Sequence, residues 1–295
     1  RHGFDIAPHG KTNMSPTLVD MQIVDGVWGI SATSNWQMRT FYAMGVPRVI
    51  LTNEVVNPTI IKWISKTLNR DKNFDLLMYV DSVAGVKLLN EVLAPLKPSR
   101  PLTVLIEMGI TGGRAGARSK ETALEVAKAV AASDHLVLRG ISGFEGVALP
   151  PEGKTVLDGV DAFLDLIVDT LHAIDAQGSF AKTPEIILTA GGSNYFDRVI
   201  AKFTPVTLSK PVRKVLRSGC YLTHDDGFGS PDARVKDPSV DLPHFHSAID
   251  LWGEVLSIPE PTRAIVGLGK RDASFDVSMP VPKLIRRKGQ SGFEP

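Results

Sequence analysis

The sequence predicts an α/β fold, a (β/α)8 TIM-type barrel followed by the beginning of an antiparallel β-domain. Three observations carry this expectation. Short runs rich in Val, Ile and Leu alternate with longer segments of helical period. No Gly-x-Gly-x-x-Gly follows the first run, as a dinucleotide-binding sheet would require. After about Pro238 the texture changes to short apolar runs punctuated by proline. An open doubly wound sheet is the alternative that strand counting alone leaves standing.

In chain order, the strand-like runs are 4–8, 28–33, 48–52, 75–80, 102–108, 136–141, 185–189 and 214–222. Between them, helical period marks 16–25, 35–44, 58–68, 82–96, 119–132, 155–176 and 194–202. Parallel neighbours need a crossover, and the helices supply it. Ser34-Asn35 precede the second helix, and Ser119 precedes a run containing Glu121, Glu125 and Lys128, both good cap chemistry. In the helix from Thr155, Val156, Val160, Phe163, Leu164 and Ile167 form one stripe, as packing on a sheet requires. Further on, Ile249, Leu251 and Val255 fall on one side of an extended stretch, with Asp250 and Glu254 on the other. Pro259, Pro261, Pro280 and Pro282 then separate runs at 264–268 and 274–277. The expected division is a barrel over 1–238 and a partial β-domain over 239–295. A piece of mostly strand that small buries too little to close a core, so partner strands are expected beyond Pro295. Arg1 to Asp5 run directly into the first strand without a methionine, and an upstream segment is expected too.

The 295 residues carry a net charge of +1 with both signs interspersed, which disfavours nucleic acid and a polybasic membrane site. No apolar run approaches the ~20 residues of a membrane span. The single cysteine, Cys220, excludes an internal disulfide and points to a reducing, cytoplasmic setting.

Chemistry in such a barrel collects at the C-terminal strand ends. These are Pro8-His9-Gly10-Lys11-Thr12, Asn53-Glu54, Asp81-Ser82, Glu107 with Gly112-Gly113-Arg114-Ala115-Gly116, 140–146, Thr189-Ala190-Gly191-Gly192-Ser193 and Ser218-Gly219-Cys220-Tyr221. Loops after strands seven and eight commonly bind phosphate. Gly191, Gly192 and Ser193 at a helix start offer backbone N–H groups and a hydroxyl; Ser218-Gly219 allow a second backbone approach, and Tyr221 adds a phenol. Lys11, delivered to the inner mouth by an apolar strand, should be partly desolvated and hence a neutral nucleophile, with Gly10 leaving room for a planar ring. A phosphate site plus a buried amine suits pyridoxal phosphate, and equally a Schiff-base aldolase of sugar phosphates.

Pro8-His9-Gly10-Lys11-Thr12-Asn13-Met14-Ser15-Pro16 resembles the cofactor-lysine motif of the alanine-racemase-type (fold type III) pyridoxal phosphate enzymes, in the branch of D-serine dehydratases (deaminases) and D-threonine aldolases. The resemblance continues through Leu51-Thr52-Asn53-Glu54, Tyr79-Val80-Asp81-Ser82, Gly113-Arg114-Ala115-Gly116, Gly143-Phe144-Glu145-Gly146, Ser218-Gly219-Cys220-Tyr221 and Gly269-Lys270-Arg271-Asp272. It implies that Lys11 holds pyridoxal 5'-phosphate as a Schiff base and is the catalytic residue. It implies that Arg114 lies near the phenolic oxygen, and that Thr189, Gly191, Gly192, Ser193, Ser218, Gly219 and Tyr221 bind the phosphate end. Asn13-Met14 favours the bacterial deaminase branch, hence conversion of D-serine or a similar β-hydroxy D-amino acid to a keto acid and ammonia. Retro-aldol cleavage and racemisation are the alternatives on the same fold. A homodimer is implied, as is zinc or another divalent metal whose ligands lie outside this chain. His244 and His246 read as structural, and His224-Asp225-Asp226 as loop. Ser142 and Glu145 face the same end without an assigned role.

Overall fold

The computed structural model describes residues 2–224, 245–275 and 279–294. They form two compact units, divided between Phe245 and His246. The expected boundary at 238/239 falls outside the described residues, as do His244, Asp225 and Asp226.

The first unit is the barrel. Its strands are β1 (Asp5–Ile6), β2 (Ile30–Ala32), β3 (Arg48–Glu54), β4 (Asp75–Val80), β5 (Leu102–Met108), β6 (Leu136–Gly143), β7 (Ile186–Ala190) and β8 (Val212–Leu216). All pairings in this sheet are parallel, in the order β1-β8-β7-β6-β5-β4-β3-β2. The ring closes between β1 and β2, where the Trp28 and Ser31 N–H groups donate to the Ile6 and Pro8 carbonyls at 2.8 and 2.9 Å. Pro8 has no N–H to extend the ladder, which accounts for the shortness of β1.

The crossovers are α1 (Pro16–Val24), α2 (Asn35–Ala43), α3 (Pro58–Arg70), α4 (Val83–Leu93), α5 (Lys120–Ala131), α6 (Val156–Ala176) and α7 (Phe196–Phe203). The side chains of Ser15, Ser34, Asn57, Ser82, Ser119 and Thr155 each accept an N–H in the first turn of the helix that follows, satisfying donors that helix geometry orphans. Helix and sheet bury one continuous apolar layer between them. Inside the barrel, Ala7, Ile50, Leu77, Tyr79, Leu105, Ile187 and Val215 form a separate layer, so the interior is filled core.

At the N-terminal end of the barrel, charges alternate from strand to strand. Arg48 pairs with Asp75 at 2.9 Å, Arg139 reaches Asp75 and Glu185, and Arg213 joins Glu185 at 2.8 Å to Asp5. Arg48 and Arg213 also lie over the Trp28 ring, at 4.5 and 5.7 Å. This end of a barrel serves stability, which leaves the opposite mouth for chemistry.

Two expected elements of the barrel differ. The run at 214–222 is not one strand: β8 ends at Leu216, and Cys220–Leu222 coil into a 3-10 turn. The helix expected from 194 begins at Phe196 with no side-chain cap, so Gly191, Gly192 and Ser193 belong to a loop ahead of it.

The second unit contains an antiparallel pair, β9 (Val255–Glu260) and β10 (Arg263–Val266). Its apolar side chains stand exposed, Leu256 at 65% and Ile258 at 67%, so this sheet has no covering layer among the described residues of its own unit. The architecture is the expected one, a barrel followed by a β-domain element. Among the described residues, no helix is long and apolar enough to cross a membrane.

Candidate active site

The end of β1 delivers Lys11. After Pro8 the chain makes a 3-10 turn, Gly10–Thr12, which leaves Lys11 at the rim with its side chain exposed. Its amine pKa is lowered, first by the surrounding protein displacing water and then by the Arg114 charge, with Cys220 acting in the opposite sense. The sequence suggested room for a planar ring beside Gly10, but that space is filled. A Cβ there would lie 2.2 Å from Cζ of Phe41, so the glycine lets the turn pack onto α2. His9 Nε2 lies 3.3 Å from the Thr52 hydroxyl oxygen, while Nδ1 is buried without a partner. Burial, followed by the charges of Lys11 and Arg217, pushes the His9 pKa down to about 3, so the ring is neutral.

The loop after β8 meets this turn, and the loop after β7 packs against that loop. A Cβ on Gly219 would stand 2.6 Å from the His9 carbonyl oxygen and 2.7 Å from Thr12 Oγ1. Lys11 and the 218–219 segment, more than two hundred residues apart, are therefore neighbours. Gly191 has φ of +113°, a backbone conformation L side chains rarely adopt. The Ser218 hydroxyl donates to the Gly192 carbonyl at 2.7 Å, and the Cys220 N–H donates to Ser193 Oγ at 3.2 Å.

Several donors that the sequence offered to an anion are engaged. The N–H groups of Gly191 and Gly192 donate to the two carboxylate oxygens of Glu145, at 2.9 and 2.7 Å. The fully buried Thr189 hydroxyl donates to the Val215 carbonyl and accepts from Arg217. The Tyr221 hydroxyl accepts from Gln22 of α1 at 2.8 Å. Ser193 and Tyr221 each retain a hydroxyl proton to give, because their oxygens accept.

On the other side of the mouth stand the acids. Parallel register sets Glu107 beside Ser142, and Ser142 beside Thr189. Glu107 and Glu54 bear on each other, and Asp81 bears on both electrostatically. Burial, and then repulsion from Glu54, raises the Glu107 pKa well above the usual carboxylate range; Glu54 is raised as well, chiefly by burial. Asp81 accepts the Gly116 N–H at 3.1 Å, and Arg118 donates to the Ala115 and Gly116 carbonyls, which braces the loop carrying Arg114. Arg114 lies over the Phe144 ring at 5.3 Å. Below, the Ser142 hydroxyl donates to Tyr79 at 2.6 Å.

Arg217 went unrecognised in the sequence. It is buried, and donates to the Thr189 hydroxyl at 2.7 Å and the Gly143 carbonyl at 2.6 Å. The signal was period two: Val215 faces the barrel interior, so Arg217 should too. Among the described residues, no group of three or more His, Cys, Asp or Glu side chains is arranged to hold a metal ion. His246 is exposed in the second unit.

No family model matches the chain. It is 25% identical over 285 residues to a 3-hydroxy-D-aspartate aldolase of Paracoccus denitrificans (strain Pd 1222), an alignment covering 95% of this chain and 68% of that protein. It is 21% identical over 282 residues to a D-threonine aldolase of Arthrobacter sp, with the same coverage of each. Among solved structures it resembles D-threonine aldolase from Filomicrobium marinum, with a TM-score of 0.71 at 21% identity over 97% of this chain and 73% of that one. It also resembles D-threo-3-hydroxyaspartate dehydratase from Delftia sp. HT23, with a TM-score of 0.56 at 18% identity over 76% and 55%. The structural likenesses carry the fold, a barrel followed by a β-domain.

Proposed function

We propose that the protein is a pyridoxal phosphate-dependent lyase that cleaves a β-hydroxy D-amino acid. The observation that carries this reading is the contact between the Lys11 turn and the Gly219 loop. It brings an amine of lowered pKa beside glycine turns able to approach an anion. The sequence relatives, named as aldolases for 3-hydroxy-D-aspartate and D-threonine, favour retro-aldol cleavage as the reaction.

The residues fit the cofactor. Lys11 would hold it covalently and Arg114 would face its ring oxygen. The phosphate would sit among the glycine turns of Gly191, Gly192 and Gly219, with the Ser193 and Tyr221 hydroxyls as donors and Ser218 shaping the wall. Thr189 would act through Arg217. When bound, pyridoxal phosphate supplies an electron-poor ring that accepts the electron pair left at Cα.

The chain's own groups handle protons and charge. Lys11, neutral more readily than an ordinary lysine, can take a proton from substrate and return it. His9 stays neutral and adds no charge beside the amine. The Glu54–Glu107 pair keeps a proton within the mouth. The residues described do not fit a resident divalent ion. A homodimer belongs to the same proposal.

The test is product analysis with added pyridoxal phosphate. D-Threonine and 3-hydroxy-D-aspartate should each yield glycine and an aldehyde, and Lys11→Ala should abolish both the visible absorbance and turnover. The second reading is dehydration, favoured by the deaminase-like Lys11-Thr12-Asn13-Met14 segment. It would give keto acid and ammonia, and accumulation of those products without glycine would replace the first reading. Absence of cofactor absorbance in the unmodified protein would overturn both.

A further inference from the structure

We propose that Glu145 is the positioning residue of the anion loop after β7, holding its backbone so that the Ser193 hydroxyl is presented to a phosphate. The inference rests on the cofactor reading above.

Glu145 opens a short 3-10 turn directly after β6, and its side chain is fully buried. A buried carboxylate is costly unless its lone pairs are met. Here each oxygen takes one N–H from successive glycines, Gly191 at 2.9 Å and Gly192 at 2.7 Å. Arg217, bonded two residues upstream at the Gly143 carbonyl, supplies the nearby positive charge.

The loop is gripped from the other side as well. The Ser218 hydroxyl holds the Gly192 carbonyl, and the Cys220 N–H holds Ser193 Oγ. Both neighbouring strands thus fix a segment that glycine would otherwise leave free to adopt many conformations. A Cβ at 192 would meet Cε2 of Phe144 at 2.7 Å, so the Phe144 ring would have to shift to admit one. The Gly191 and Gly192 N–H groups point inward to Glu145, so an incoming anion meets the remaining face of the loop, where Ser193 has its proton to donate. Glu145 thereby sets phosphate affinity without touching the phosphate.

The experiment compares binding of pyridoxal phosphate and of pyridoxal, which lacks the phosphate, to the unmodified protein and to Glu145→Gln. Glutamine retains one acceptor and turns an amide donor towards the second N–H. Pyridoxal phosphate should bind about tenfold to a hundredfold more weakly to the variant, and pyridoxal within about threefold of its original affinity. Equal losses for both, or no loss for either, would overturn the role of Glu145. An unmodified protein that binds neither compound would instead overturn the cofactor reading. If Glu145→Gln does not fold, amide exchange in the unmodified, cofactor-free protein decides. The Gly191 and Gly192 amides should be protected, and exchange at the rate of an open loop would overturn the inference.

Discussion

Arg217 donates to the Thr189 hydroxyl at 2.7 Å, tying the end of β8 to the end of β7 inside the barrel mouth. A second nitrogen of the same guanidinium reaches the Gly143 carbonyl at the end of β6. One buried side chain therefore holds three adjacent strand ends together. Arg217→Met should leave the Gly143 carbonyl unpaired and lower unfolding stability by about 1–3 kcal/mol. Denaturant unfolding at neutral pH measures this, and an unchanged midpoint would remove the bracing role.

His9 makes stability depend on acid. Its pKa falls from 6.5 to about 3 on folding, so below pH 6.5 the unfolded chain binds a proton that the folded chain refuses. Stability should therefore decline as pH drops from 6.5, by about 1–2 kcal/mol on reaching about pH 5, before most carboxylates titrate. His9→Gln should flatten that decline. A variant with the undiminished slope would assign the acid sensitivity elsewhere.

Glu107 acts in the opposite direction. Its folded pKa lies above the ordinary 4.5, so the stability it contributes is complete below that value and lost as pH rises. Between those limits the unfolded chain gives up a proton that the folded mouth retains. Glu107→Gln, which keeps the shape without the ionisation, should raise the melting temperature more at about pH 8 than at about pH 5. Equal shifts at the two pH values would mean that Glu107 ionises normally in the folded protein.

Gly219 is where the Lys11 turn and the last loop touch. Gly219→Ala introduces a Cβ 2.6 Å from the His9 carbonyl oxygen, and backbone must move to admit it. Overpacking of this kind costs about 1–3 kcal/mol, and pyridoxal phosphate binding should weaken by about tenfold as the two segments separate. Gly269→Ala, with nothing within 4 Å of its Cβ, should alter neither property. Normal binding by Gly219→Ala would separate this contact from the cofactor site.

Local signals were legible because local physics produces them. Runs at 75–80 and 102–108 carry the apolar content of buried parallel strands, and β4 and β5 have those same bounds. Ser34 and Ser119 announced helix starts because a hydroxyl in the first turn answers an unpaired N–H. The glycines after strands seven and eight, and Lys11 after strand one, were visible as candidates because they follow the C-terminal ends of strands. The run from 214 misled because its apolar residues continue past the point where the chain bends towards His9.

What the sequence by itself determined is the order of elements and the residue types that follow the C-terminal ends of the strands. The tertiary structure alone decided who partners whom. Glu145 takes the two glycine N–H groups expected for an anion, Phe41 fills the space beside Gly10, and Arg217 ties together three strand ends. Strand and helix periods arise from neighbours a few residues apart and so can be read along the chain. These contacts join residues tens to hundreds of positions apart, and they exist only once the ring of strands closes and fixes each side chain's register around it.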